Sequence, residues 1–140
     1  MGKGIGIIAT LDTRGDEAQF LRELFAKKGY TAIILDGGVL GRPLFSPDFS
    51  REIVAQAGGK HLELLISAAE AGADRYEATK VMCDGIAKLS EELYTSGRLA
   101  GIMSLGGSTG AMLGAAAMKQ LPTGVPKLIV TTFASLAPIG

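Results

Sequence analysis

The stretch Gly101-Ile-Met-Ser-Leu-Gly-Gly-Ser-Thr-Gly110 decides how this chain is read. An apolar run, Leu99 to Leu105, suits a buried strand and empties into a glycine-rich turn. The turn opens a small-residue helical segment over Ala111 to Gln120. Strand, glycine turn and helix in that order is how many α/β proteins hold phosphate. The glycines let the backbone approach closely, successive N–H groups point one way, and the helix N-terminus adds partial positive charge. Ser108 and Thr109 add hydroxyl donors. The same pattern also serves as a plain strand-to-helix turn that uses glycine for its dihedral freedom alone, so this turn by itself does not choose between the two.

Working outward, Gly4 to Ala9 reads as a first buried strand ending at Thr10-Leu11-Asp12-Thr13. Thr13 is placed to cap a helix with Phe20, Leu21, Leu24 and Phe25 on one stripe, Lys27 and Lys28 in its last turn and Gly29 as its stop. Thr31 to Leu35 is a second strand, ending at Asp36-Gly37-Gly38. A long connection over 39–47 follows, then helical stretches near 48–57 and 60–71, parted by Gly58-Gly59. Asp74 and Glu77 form a capping box before an amphipathic helix carrying Val81, Met82, Ile86, Leu89 and Leu93. After the glycine turn and its helix, Lys127 to Thr132 is a fourth strand. Continuously apolar strands alternating with helices predict a Rossmann-like, doubly wound α/β fold. The expected architecture is a three-layer α/β/α domain over 1–140 with about four parallel strands. The apolar tail, Phe133 to Gly140, has no helix to cover it and reads as the point where a longer protein continues.

Composition narrows the function classes. Of 140 residues 47% are hydrophobic and 6% aromatic, with twenty glycines, which suits small-residue packing and tight turns. Fourteen basic residues balance fourteen acidic ones, so no bulk charge argues for nucleic acid or an anionic membrane. No apolar run approaches the roughly 20 residues that span a bilayer. A single cysteine, Cys83, cannot form an internal disulfide and fits a reducing compartment, so a cytoplasmic location is expected. One His and one Cys cannot build a zinc site. His61 reads as a surface or capping residue, Cys83 as an inert small residue in its helix, and no Ser–His–acid arrangement is visible.

In an open parallel sheet, ligands sit beyond the carboxyl ends of the strands where strand order reverses. Four loops meet at that edge here: Thr10 to Thr13, Asp36 to Gly38, Gly106 to Gly110, and Thr131-Thr132. All carry hydroxyl, carboxylate or glycine residues, and their convergence says more than any single loop. Gly106, Gly107, Ser108, Thr109 and Gly110 are expected to cradle phosphate, and Thr10, Asp12 and Thr13 to contact phosphate or Mg²⁺. Asp36, ending the second strand, stands where a ribose hydroxyl is often bound. Of Arg14, Arg42 and Arg75, the last is best placed to line a site. Two look-alikes are discarded. Gly4-x-Gly6-x-x-Ala9 lies inside the first strand instead of following one, and Gly107 stands where a P-loop needs its lysine.

Several segments together resemble a known family: Ala9 to Glu17, Leu35 to Val39, Pro47-Asp48, Ala55 to Gly58, Asp74-Arg75, Leu105 to Gly110, and Leu121-Pro-Thr-Gly-Val-Pro-Lys127. It is the Tm-1-like ATP-binding domain family, which contains the tomato mosaic virus resistance protein. The resemblance covers nearly the whole chain in order. It implies ATP as the bound nucleotide, with Mg²⁺ an accompanying ion. It also implies that more of the same domain and a TIM-barrel-like domain follow in the same polypeptide, and with the apolar tail it suggests a homo-oligomer. The family turn ends in Gly-Gly-Thr, whereas here Thr109 and Ala111 replace a glycine and the final threonine, removing one hydroxyl. Two other readings stay open: an assembly module whose glycines serve packing, and an enzyme on a small phosphorylated or acyl metabolite with Asp12 as acid or base.

Overall fold

The computed structural model describes residues 3–72 and 75–132. β1 (Gly4–Ala9), β2 (Thr31–Asp36), β3 (Leu99–Gly106) and β4 (Lys127–Thr131) form one sheet in the order β2-β1-β3-β4. Every pairing is parallel, with Ile7 beside Ile34 on one side and Met103 on the other. β1 and β3 run through the middle, which is why their residues are apolar on both faces.

Helices cover both faces. α1 (Gly15–Lys27) packs on one, burying Ala18 against Ile7, Ala9, Ile34, Met103 and Leu105. α2 (Arg51–Ala57), α3 (Leu62–Glu70), α4 (Arg75–Thr95) and α5 (Ser108–Met118) occupy the other. There Ile8, Ile33, Leu35 and Ile102 meet Val54, Met82, Ile86 and Leu113 in the larger core. This is the three-layer, Rossmann-like arrangement expected from the alternation of strands and helices.

α2 and α4 cross at two glycines. A Cβ on Gly58 would strike the Val81 carbonyl, and one on Gly85 the Val54 carbonyl. The backbones therefore touch, and this close crossing holds the start of α4 beside the carboxyl edge of the sheet. Local chemistry explains the ends of α1 and α2. Gly29, at φ +85°, ends α1, and Ser50 accepts from the Ile53 N–H at 3.2 Å to start α2.

Three expectations need correction. Thr13 does not cap α1: the N-cap is Arg14, without a side-chain hydrogen bond, because the Thr13 hydroxyl is turned to Thr10. The segment at 48–49 is not helical. Asp48 accepts from the Ile34 N–H at 2.7 Å, and Phe49 bridges Leu35 in parallel, so both residues satisfy the outer edge of β2. α5 begins at Ser108 instead of Ala111, so the hydroxyl residues belong to the helix's first turn. Asp74 and the tail from Phe133 lie outside the described residues.

Candidate functional site

Strand order reverses at β1. The chain leaves β1 for β2 on one side, then returns to place β3 and β4 on the other. The loops after β1 and β3 therefore diverge around a crevice, which is where the structure opens a cleft of about 530 Å³.

The β1 loop forms one wall. Arg14 N–H closes a turn onto the Thr10 carbonyl at 2.7 Å, and the Thr10 and Thr13 hydroxyls share a hydrogen bond of 2.6 Å. Leu11, fully buried, anchors the turn to the core, so Thr10, Asp12 and Thr13 face the cleft. Arg14 lines it too, reaching the Thr132 hydroxyl at 3.4 Å while pairing with Glu17 at 3.3 Å.

The opposite wall is the start of α5. Gly106 has φ +138°, open to glycine alone, and this turns the chain sharply from strand into helix. Gly107 is the N-cap and offers no side chain; no acidic residue occupies the first turn. The leading N–H groups of α5 consequently have no side-chain cap, and Ser108, Thr109 and Gly110 line the cleft beside them. Thr131 donates its hydroxyl to the Gly107 carbonyl at 3.2 Å, and Thr132 N–H reaches the Gly106 carbonyl at 3.1 Å, so β4 braces the turn from behind. Gly106 itself does not line the cleft; it sets the direction of the helix that does.

Asp36, expected to meet a ribose, does not line the cleft. It is fully buried, and its carboxylate accepts from Leu11 N–H at 3.2 Å, Gly38 N–H at 2.9 Å and Arg51 Nε at 2.9 Å. With both oxygens engaged by the protein, Asp36 is a strut beneath the cleft and not a contact within it.

Arg51, which the sequence reading did not single out, is the centre of this arrangement. Only 3% exposed, it sends Nε to Asp36, Nη2 to Asp12 Oδ1 at 3.1 Å, and Nη1 to the carbonyls of Leu40 at 2.7 Å and Gly41 at 3.1 Å. One guanidinium thus ties the β1 loop, the end of β2 and the 38–41 loop together. Gly38 makes this possible, since a Cβ there would lie 2.5 Å from Arg51 Nη2 and 2.7 Å from Asp12 Oδ1. An arginine in the first turn of a helix opposes the helix dipole, and that mild mismatch is its one signal in the sequence.

Val39 and Leu40 from the β2 loop, Ala69 from α3, and Arg75, Ala78, Thr79 and Met82 from α4 also line the cleft. Arg75 lines the cleft as expected; Arg42 does not. His61 is the N-cap of α3 without a side-chain cap bond. Burial, with Asp84 nearby, pushes the Cys83 thiol upward, which favours its protonated form. Among the described residues no group of three His, Cys, Asp or Glu side chains is placed to hold a metal, and no helix is long and apolar enough to cross a membrane.

Comparison with known proteins finds related sequences and adds no activity. Residues 3–138 match the N-terminal domain of the uncharacterised protein family UPF0261. A UPF0261 protein of Clostridium tetani is 38% identical over 135 residues, covering 96% of this chain and 32% of its own length. One of Brucella suis is 34% identical over 128 residues, with 91% and 30% covered, and one of Rhizobium meliloti 33% over 133, with 95% and 31%. The chain spans about a third of the length of these relatives.

Proposed function

The chain belongs to the UPF0261 family through its N-terminal domain, and from its cleft we propose that it binds a nucleotide, ATP in the first instance, through the phosphates. One observation carries this reading. The uncapped first turn of α5 and the hydroxyl-bearing β1 loop face each other across the crevice where strand order reverses. The N–H groups of α5, with Ser108 and Thr109, would hold phosphate oxygens, and the Thr10 and Thr13 hydroxyls would meet them from the other wall. Asp12 has Oδ1 committed to Arg51, leaving Oδ2 for Mg²⁺ through a water. Asp36 and Arg51 would serve as positioning residues. The resemblance to Tm-1-like ATP-binding domains supports the choice of ATP. In the full-length protein, the remaining two-thirds would couple binding to a further domain, and a cytoplasmic homo-oligomer fits the composition and the apolar β4.

The test is calorimetric titration of ATP into the full-length protein, with and without Mg²⁺, beside Gly107→Asp. A Cβ at Gly107 meets nothing closer than the Thr132 hydroxyl at 3.9 Å, so the variant fits. Its carboxylate would cap α5 and occupy the anion position, so the fold survives while binding falls at least about a hundredfold. Saturable binding by the parent, lost in the variant, supports the reading; no binding by the folded parent refutes it. A second reading, assembly without ligand, is favoured by one observation: Leu128, Ile129 and Val130 of β4 are 56%, 37% and 48% exposed.

A further inference from the structure

Arg14 joins the two walls of the cleft. Its main chain belongs to the β1 wall, where its N–H bonds the Thr10 carbonyl at 2.7 Å. Its side chain crosses to the other wall. A Cβ built on Gly106 would lie 3.9 Å from Arg14 Cγ and 3.6 Å from the Gly110 nitrogen, so the aliphatic stem runs beside the first turn of α5. Further out, Nη2 donates to the Thr132 hydroxyl at 3.4 Å, and that hydroxyl would be 3.9 Å from a Cβ on Gly107. The guanidinium is thus held at the glycine turn, and it lines the same cleft as Gly107, Ser108 and Thr109.

We propose that Arg14 is the cationic phosphate ligand of this site and that it leaves Glu17 for the anion when ligand binds; the inference rests on the phosphate reading above. The contacts that hold Arg14 in the free protein are weak ones. Nη1 pairs with Glu17 Oε2 at 3.3 Å, and the two side chains are 32% and 49% exposed. An ion pair between side chains so exposed contributes little. The 3.4 Å bond to a neutral hydroxyl is longer than an ordinary hydrogen bond. A guanidinium meeting phosphate makes shorter, charge-assisted bonds, and its planar fork can make two in parallel. Phosphate at the α5 turn therefore wins the exchange. Glu17 acts as a brake, because its carboxylate competes with the ligand for the same guanidinium.

The experiment is calorimetric titration of ATP and of inorganic tripolyphosphate into the full-length protein, Arg14→Gln, Glu17→Gln and the double variant. Arg14 is the N-cap of α1 without a side-chain cap bond, so glutamine there leaves the fold intact. Arg14→Gln should weaken both ligands at least about tenfold, through loss of the charge-assisted bonds. Glu17→Gln should tighten both about threefold. That gain should vanish in the double variant, because Glu17 acts through Arg14. A gain that persists without Arg14 would make Glu17 a general repulsive charge and overturn the inference. Arg14→Gln holding ATP as tightly as the parent, or losing ATP while keeping tripolyphosphate, would also overturn it and leave the phosphate site standing. Failure of the folded parent to bind either ligand would overturn this inference and the phosphate reading together.

Discussion

At the scale of single residues, the cleft depends on charges it does not display. Arg51 is 4% and Asp36 0% exposed as side chains, and their ion pair at 2.9 Å lies beneath the surface that Asp12 presents. Breaking a buried pair from one side leaves an uncompensated charge. Arg51→Met should therefore cost about 3–5 kcal/mol in urea unfolding. Adding Asp36→Asn to that chain should recover part of the loss, because the stranded charge goes with it. Cys83 offers a milder test. Its raised pKa means that less thiolate is present near pH 8 than in a free cysteine, so iodoacetamide should alkylate it more slowly than a model peptide until the chain is unfolded. Asp12 and Asp36 look alike in sequence, each following an apolar strand within a small polar loop. Their burial separates them: Asp12 keeps a side chain 22% exposed at the cleft, whereas Asp36 is sealed.

At the scale of elements, helix contacts set where the cleft walls stand. α2 and α4 approach until Gly85 touches the Val54 carbonyl, so Gly85→Ala forces them apart and should destabilise the fold by about 1–3 kcal/mol. Ser90, on the same helix, is buried with no hydrogen-bond partner for its hydroxyl. Ser90→Ala removes an unpaired polar group, so it should be neutral or raise stability by up to about 1 kcal/mol in the same unfolding assay. Both strand bounds and helix identities were readable from apolar runs and helical spacing, since local periodicity reports which face will be buried. The start of α5 and the non-helical 48–49 segment were not. Ser108 and Thr109 are weak helix formers that tertiary bracing holds in the first turn, and Asp48-Phe49 is pinned by hydrogen bonds to β2, distant in the fold's logic from its own helix.

At the scale of the whole molecule, the described residues cover the two faces of the sheet unequally. Met103 and Leu105 pair in register with Leu128 and Val130, so all four point to the α1 side. There an apolar groove of about 410 Å³, bordered by Phe20 at 64% exposure, remains open. A flat apolar edge strand promotes association. The 140-residue chain should therefore self-associate with rising concentration in light scattering, and Leu128→Lys with Val130→Lys should suppress it. The three-layer fold and the strand-end loops at the carboxyl edge of the sheet were determined by the sequence itself, because strand–helix alternation and right-handed crossovers leave few topologies; the strand order came only with the structure. Tertiary structure alone decided which of those loops' residues reach the cleft. Whether a carboxylate ends as a ligand contact or a buried strut depends on a partner such as Arg51, fifteen residues from Asp36 and thirty-nine from Asp12. Such a partner is brought near only when α2 folds onto the sheet, and no local pattern encodes that distance.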